Sequence, residues 1–136
     1  MIVFDTNVVS ELVKPRPDQR VWAWAGTLST NQMAIAATTL AELRFGILML
    51  AQGRRRDDLE HRVTNTLHDI PVLPFDAAAA HRYAEIAARR RAAGKTIATF
   101  DAQIAAIALA NGFPVASRDS KGFDGTGVEL IDPWTA

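Results

Sequence analysis

Short apolar runs that end in polar residues alternate with longer helical patterns along the whole chain. Ile2, Val3 and Phe4 predict a buried strand that runs straight into Asp5, Thr6 and Asn7. A short helix over Val8 to Val13 follows and stops at Lys14-Pro15-Arg16-Pro17. Asp18 is placed to cap a second helix carrying Val21, Trp22, Trp24 and Ala25, with Thr27 to Gln32 as the next loop. Met33 to Ala37 predicts a second strand and leads into an apolar helix from Thr38 to Leu50, closed at Gly53. A helix over about Asp57 to His68 and a strand over Pro71 to Phe75 come next. Asp76 then caps an alanine-rich helix from Ala77 to Ala93, ended by Gly94. Ala102 to Asn111 is apolar on nearly every side, the mark of a helix buried all round. Pro114 to Ala116 and Val128 to Ile131 complete a set of five strands.

Strands alternating with helices predict an α/β fold. The expected form is a three-layer sandwich, a mostly parallel five-stranded sheet with helices on both faces. A chain of 136 residues fits one domain, residues 1–136, and can bury a real core. Cysteine is absent, which excludes disulfides and thiolate-ligated metal sites and accords with a reducing compartment. Neither a signal segment nor a membrane-spanning run is visible, so a cytoplasmic location with no membrane contact is expected. Formal net charge is zero, which supplies no overall field for nucleic acid, although twelve of the fifteen basic residues are arginine, suited to planar contact with phosphate. The runs Arg54 to Arg56 and Arg89 to Arg91 read first as a solvated turn and as partners of a helix dipole.

Four acids occupy equivalent situations in this pattern. Asp5 and Asp119 end strands, while Glu42 and Asp101 stand in the first turns of following helices. Each has an ordinary structural role open to it. Asn7 can cap a helix with Asp5 and Thr6 satisfying the turn, Thr39 and Glu42 match a capping box, and Asp101 can cap or complement its helix. If all four meet at the carboxyl ends of the strands, the electrostatics changes. Two carboxylates about 5 Å apart repel by roughly 3 kcal/mol at an effective dielectric of about 20. Several such pairs stay ionised only with a cation among them. Oxygen ligands without histidine or cysteine favour Mg²⁺ or Mn²⁺, which suits phosphoryl chemistry. His61, His68 and His81 have no convincing ligand spacing, and no G-x-S-x-G elbow is present.

MIVFDTNVVSEL at the N-terminus, TLAELRFGI over 39 to 47, FDAQIAAIAL over 100 to 109 and ASRDSKGFDGTGVELIDPW near the end together resemble a PIN domain of the VapC toxin type, FitB-like branch. The likeness spans essentially the whole chain. It implies a metal-dependent endoribonuclease that is the toxin of a type II toxin–antitoxin pair, with Mg²⁺ or Mn²⁺ as cofactor. Its implied partners are a cognate antitoxin, RNA and a second copy of itself in a homodimer, enlarged further by the antitoxin. Carried over by position, Asp5, Glu42, Asp101 and Asp119 are the metal-binding and catalytic acids, and Thr6 and Ser117 are supporting hydroxyls. The implied reaction is in-line attack of metal-activated water on an RNA phosphodiester, leaving a 5′-phosphate and a 3′-hydroxyl. The last motif departs from the common pattern, in which asparagine stands at 119 and an acid directly before the phenylalanine; here Gly122 precedes Phe123, and Asp124 is a weaker candidate for the fourth acid.

Arg118, and behind it Arg44 and Lys121, are candidates for contact with RNA phosphate, each with a surface salt bridge as the alternative. Trp22, Trp24 and the helix from Leu40 to Leu50 offer apolar surface to partners. Two other functions fit part of the pattern. A non-catalytic module binding RNA or antitoxin needs none of the acids, and a haloacid-dehalogenase-like phosphohydrolase shares the opening strand and Asp5 but has an acid where Asn7 stands. Removing the charge of Asp5 or Asp101 is expected to abolish cleavage without lowering the melting temperature of the metal-free protein.

Overall fold

A computed structural model describes residues 1–136. Five strands, β1 (Ile2–Phe4), β2 (Met33–Ala36), β3 (Val72–Leu73), β4 (Val115–Ala116) and β5 (Leu130–Ile131), form one sheet in the order β3-β2-β1-β4-β5. Every neighbouring pair is parallel, so the sheet is wholly rather than mostly parallel. The chain builds outward from β1 to β3 on one side and then returns to lay β4 against the other side of β1. That reversal opens a crevice at the carboxyl ends of β1 and β4, where open α/β sheets bind ligands.

Alternation along the short strands divides the core between the two faces of the sheet. Val3, Ala36 and Val115 pack with Ala79 and Ile86 of α5 (Ala77–Ala92) and with Ala102, Ile104, Ala105, Ile107 and Ala108 of α6 (Thr99–Asn111). Phe4, Ile35 and Ala116 face the other way, onto Val8 and Val9 of α1 (Thr6–Leu12), Val21 of α2 (Gln19–Gly26), Leu43 and Ile47 of α3 (Ala37–Leu48) and Val63 of α4 (Arg54–Leu67). The expected sandwich is thus the observed one. The apolar helix anticipated near the C-terminus is α6, buried from Ala102 through Ala108 except at Gln103, whose side chain accepts a hydrogen bond from Thr38 of α3 at 2.9 Å.

Several boundaries differ from the sequence expectations, for local reasons. The first helix begins at Thr6 because Asp5, not Asn7, is its N-cap and accepts from the Thr6 N–H at 2.7 Å. α3 ends at Leu48 on a right-handed cap at Met49, so Gly53 does not close it. With φ at +149°, a conformation glycine adopts freely, Gly53 instead turns the chain into α4. Arg54, Arg55 and Arg56 are consequently the first turn of α4 and not a solvated connection, which their good helix propensity allows. Asp18 and Asp76 do cap α2 and α5, accepting from the N–H groups of Arg20 at 2.9 Å and Ala79 at 3.0 Å.

Candidate active site

The site follows from register. Phe4 is paired with Ala116, so the next residues, Asp5 and Ser117, leave the sheet side by side at the switch between β1 and β4. The Asp5 N–H still donates to the Ala116 carbonyl at 2.9 Å, and the Ser117 hydroxyl donates to Asp5 Oδ2 at 2.7 Å. Ser117 also accepts, from Asn7 Nδ2 and from the Asp119 N–H, both at 3.0 Å. One fully buried hydroxyl therefore ties the end of β1, the first turn of α1 and the exit from β4 together.

Glu42 is brought over the same strand ends by α3. Its Oε1 accepts from the Thr6 hydroxyl at 2.7 Å, and Thr6 Oγ1 lies 3.2 Å from Thr39 Oγ1. The capping box that was the alternative role for Thr39 and Glu42 does not form, because α3 begins at Ala37 and Ala36 is its N-cap, leaving Thr39 inside the helix. Asp101 stands in the first turn of α6, but Ala98 is the N-cap there and no side chain caps it. Asp119 caps α7 (Ser120–Phe123), accepting from the Gly122 N–H at 2.9 Å.

Asp5, Thr6, Asn7, Glu42, Asp101, Arg118 and Asp119 line one open cleft of about 470 Å³, closed on one side by Trp134. Ser117 lies beneath it, and Asp124 is outside it, exposed and paired with Lys95 at 3.1 Å. That pairing holds the Asp124 carboxyl below the usual range. Glu11 and Lys14 also line this cleft and are paired with each other at 3.0 Å, while Asp5, Glu42, Asp101 and Asp119 form no ion pair, in contrast to Asp18, Glu60, Glu85 and Asp124 elsewhere on the chain. Burial pushes Asp5 up to about 6 against the opposing hydrogen bonds from Ser117 and Thr6, with the charges of Asp101 and Glu42 adding to the rise. Asp101 is also raised, by burial first and then by the charges of Asp119 and Glu42, with Arg90 acting against them.

The donor set fits a hard divalent cation. It consists of four carboxylates that no cationic side chain pairs, Lys14 being engaged by Glu11 and Arg118 by the Trp134 ring, together with Asn7 Oδ1, a buried oxygen that no donor meets. As the side chains stand, no three acids or histidines enclose a single point. An ion such as Mg²⁺, which is held by one or two carboxylates and keeps much of its water, needs no such enclosure. Asp5, Asp101, Glu42 and Asp119 are the residues able to supply those carboxylates.

A profile of the PIN domain matches residues 2–128. The chain belongs to the PIN-domain family. This PIN domain is 42% identical over 139 residues to the VapC ribonuclease Y4jK of Sinorhizobium fredii, with 98% of each chain covered. It is 37% identical over 137 residues to Toxin FitB of Neisseria gonorrhoeae, covering 98% of this chain and 99% of that one. The crystal structure of FitAcB from Neisseria gonorrhoeae aligns with it at a TM-score of 0.92 and 37% identity over 100% of both chains. The VapC and FitB likeness read from the four motifs is the one found, and membership of this family removes the haloacid-dehalogenase-like alternative. Asn7, where that alternative would need an acid, is instead committed through its amide to Ser117.

Other residues of the PIN domain take roles that spacing did not reveal. Asn7 is a link within the site and not a helix cap. Arg118 neither forms a salt bridge nor lies free; its guanidinium stacks 4.4 Å from the centroid of the Trp134 ring, at the cleft edge. Arg44 is paired with Glu60 at 2.7 Å, the alternative foreseen for it. Arg90 is buried, its guanidinium donating to the carbonyls of Asp124 and of Thr96, the latter at 2.6 Å, while Arg89 donates to the Thr126 carbonyl at 3.1 Å. These two arginines are clamps on the 124–127 turn and not simply dipole partners at the end of α5. Trp24 packs on Phe4 with ring centroids 5.3 Å apart, leaving Trp22 as the exposed tryptophan of α2.

Proposed function

We propose that this PIN domain is a Mg²⁺- or Mn²⁺-dependent endoribonuclease and the toxin of a type II toxin–antitoxin pair. The observation that carries the reading is the convergence of four acids from four separate elements on one cleft at the sheet's switch point, without a cationic side chain paired to any of them. When bound, the ion supplies charge neutralisation at the phosphate and water activated for attack. Asp5 and Asp101 hold the ion, and Asp119 extends the acidic surface toward a second position. Glu42 has one oxygen fixed by Thr6 and the other free to hold ion or water. Ser117 and Thr6 keep the Asp5 and Glu42 carboxylates in place. Arg118 on the rim is oriented by Trp134 to meet a phosphate of the substrate.

Choice of RNA over DNA rests on the likeness to the protein named VapC ribonuclease Y4jK, since phosphodiester hydrolysis leaving a 5′-phosphate makes no use of a 2′-hydroxyl. A cytoplasmic location and a cognate antitoxin belong to the same reading, as do a homodimer and its larger assembly with the antitoxin. The exposed side chains of Trp22, Phe45, Leu48 and Met49 are part of the apolar surface available for such contacts, with Val72, Phe75 and Phe100 exposed elsewhere.

The test is cleavage of single-stranded RNA by the purified protein with Mg²⁺ or Mn²⁺, beside a DNA of the same sequence and a small phosphate monoester. Metal-dependent cuts bearing 5′-phosphates, abolished by EDTA, are expected. Intact RNA under every metal condition, with specific retention of antitoxin, would support the non-catalytic module instead.

A further inference from the structure

Gly122 lies in the last motif, where the chain departs from the common family pattern, and its surroundings give its lack of a side chain a definite role. A β-carbon built on Gly122 would lie 2.9 Å from Asp101 Oδ2 and would overlap Asp119 Oδ2 outright. The two carboxylates thus face each other across the space a side chain at 122 would fill. Backbone conformation does not demand glycine here, since Gly122 is absent from the residues of positive φ and sits in α7. The atoms a β-carbon would strike are Cγ and Oδ2 of Asp119 and Oδ2 of Asp101, so the two carboxylates must turn aside, Asp119 giving up its cap on α7 as it does. Those carboxylate oxygens are also the atoms proposed to meet the cation.

We propose that Gly122 is a positioning residue, left without a side chain so that the Asp101 and Asp119 carboxylates can share one ion-binding space. Its own N–H fixes the other oxygen of Asp119, at 2.9 Å, so the same residue both orients Asp119 and makes room for it. The inference rests on the metal-dependent reading above. It adds that the acid at 119 and the glycine at 122 form a single unit, because the carboxylate and a side chain at 122 compete for one volume.

The experiment measures Mn²⁺ binding through the paramagnetic resonance signal of the free ion, together with thermal melting in EDTA. It uses the parent, Gly122→Ala, Asp119→Ala and the double variant. Gly122→Ala should bind Mn²⁺ about 10-fold to 100-fold more weakly, the range seen when a residue supporting ligands is lost. In EDTA it should melt close to the parent, because the loss of the Asp119 cap on α7 is offset by the better helix propensity of alanine, a gain of similar size. In the Asp119→Ala background the added alanine should cost much less than in the parent, since one of the two carboxylates it displaces is gone. Unchanged Mn²⁺ binding by Gly122→Ala would overturn the inference, as would a fall of many degrees in its EDTA melting temperature or full additivity in the double variant. A parent that binds no Mn²⁺ would overturn the metal-dependent reading itself and this inference with it, an outcome the parent alone decides.

Discussion

The two halves of the cleft are built on different principles. On the β1 side, Asp5 is only 5% exposed, and both of its oxygens accept hydrogen bonds, from the Thr6 N–H and the Ser117 hydroxyl. On the α6 side, Asp101 receives no hydrogen bond from the protein and Asp119 receives one, at Oδ1. The first acid is locked into the fold, while the second pair is held by backbone and by empty space. An acid engaged on both oxygens is part of the structure as well as of the chemistry, so replacing it changes two things at once. An acid with free oxygens serves the site alone, and its self-repulsion is a burden on the fold.

The sharpest test of this difference is Asp101→Asn. Cleavage should fall by on the order of a thousandfold, as when a principal electrostatic contact in an active site is lost. Melting in EDTA should stay level or rise, because a half-buried charge near those of Asp119 and Glu42 has been removed. Retained cleavage, measured on the same RNA, would mean that the α6 side takes no part in the reaction. A marked drop in melting temperature would mean that Asp101 belongs to the scaffold after all.

Ser117→Ala tests the other half. It leaves Asp5 Oδ2, Asn7 Nδ2 and the Asp119 N–H without their partner, so a loss of about 2–4 kcal/mol is expected in EDTA by denaturant unfolding. Asp5→Asn should follow at about 1–3 kcal/mol. Both neighbours of Asp5 donate to it, and an asparagine can turn only one oxygen toward them, so its NH₂ must face a donor. The equal tolerance of Asp5 and Asp101 to neutralisation, expected from repulsion alone, is therefore revised by geometry. If the two asparagine variants melt alike without metal, the division between the halves is wrong.

The fold was legible because its signals are periodic. Alternation around Val3 and Phe4, the caps Asp18 and Asp76, and the all-apolar face of Ala102 to Ala108 each act locally and survive into the structure. Asp5 and Asp119 were legible because each sits just past a strand, and Glu42 because its helix follows one, positions that a parallel sheet brings to one edge; Asp101 reaches that edge differently, at the start of α6, which follows α5 and not a strand. What spacing could not reveal depends on contacts across the chain. Asn7 meets Ser117 across 110 residues of sequence, and Glu42 abandons Thr39 for Thr6, 36 residues away. Local capping rules favoured the near partners, and the register of β1 with β4 and β2 supplied the distant ones. Arg90 was misread for the same reason: one of its two partners, the Asp124 carbonyl, lies in a turn 34 residues further on. Gly122 carries the least signal of all, because an absent side chain is informative only once the two carboxylates beside it are located.

The smallest effect is the one that isolates Asp5 without altering a single atom of the scaffold. Its carboxyl titrates near 6 in the folded protein, above the ordinary 3.8 it regains on unfolding. The folded state therefore binds this proton more tightly than the unfolded state does. By linkage, the contribution of Asp5 is most favourable at low pH and declines as pH rises through the interval between those two values. In EDTA, acidifying from pH 7 to pH 5 should raise stability by about 1 kcal/mol through this group. Asp101 acts in the same direction. Glu11, Asp18, Glu60 and Asp124 are shifted downward, so their opposing losses fall below that window. Denaturant unfolding of the parent and of Asp5→Asn at the two pH values separates the contributions, since the variant keeps every other titrating group. A parent that gains no more than the variant would show that Asp5 is not strained by its burial, and the locked half of the cleft would then lose its electrostatic claim to a cation.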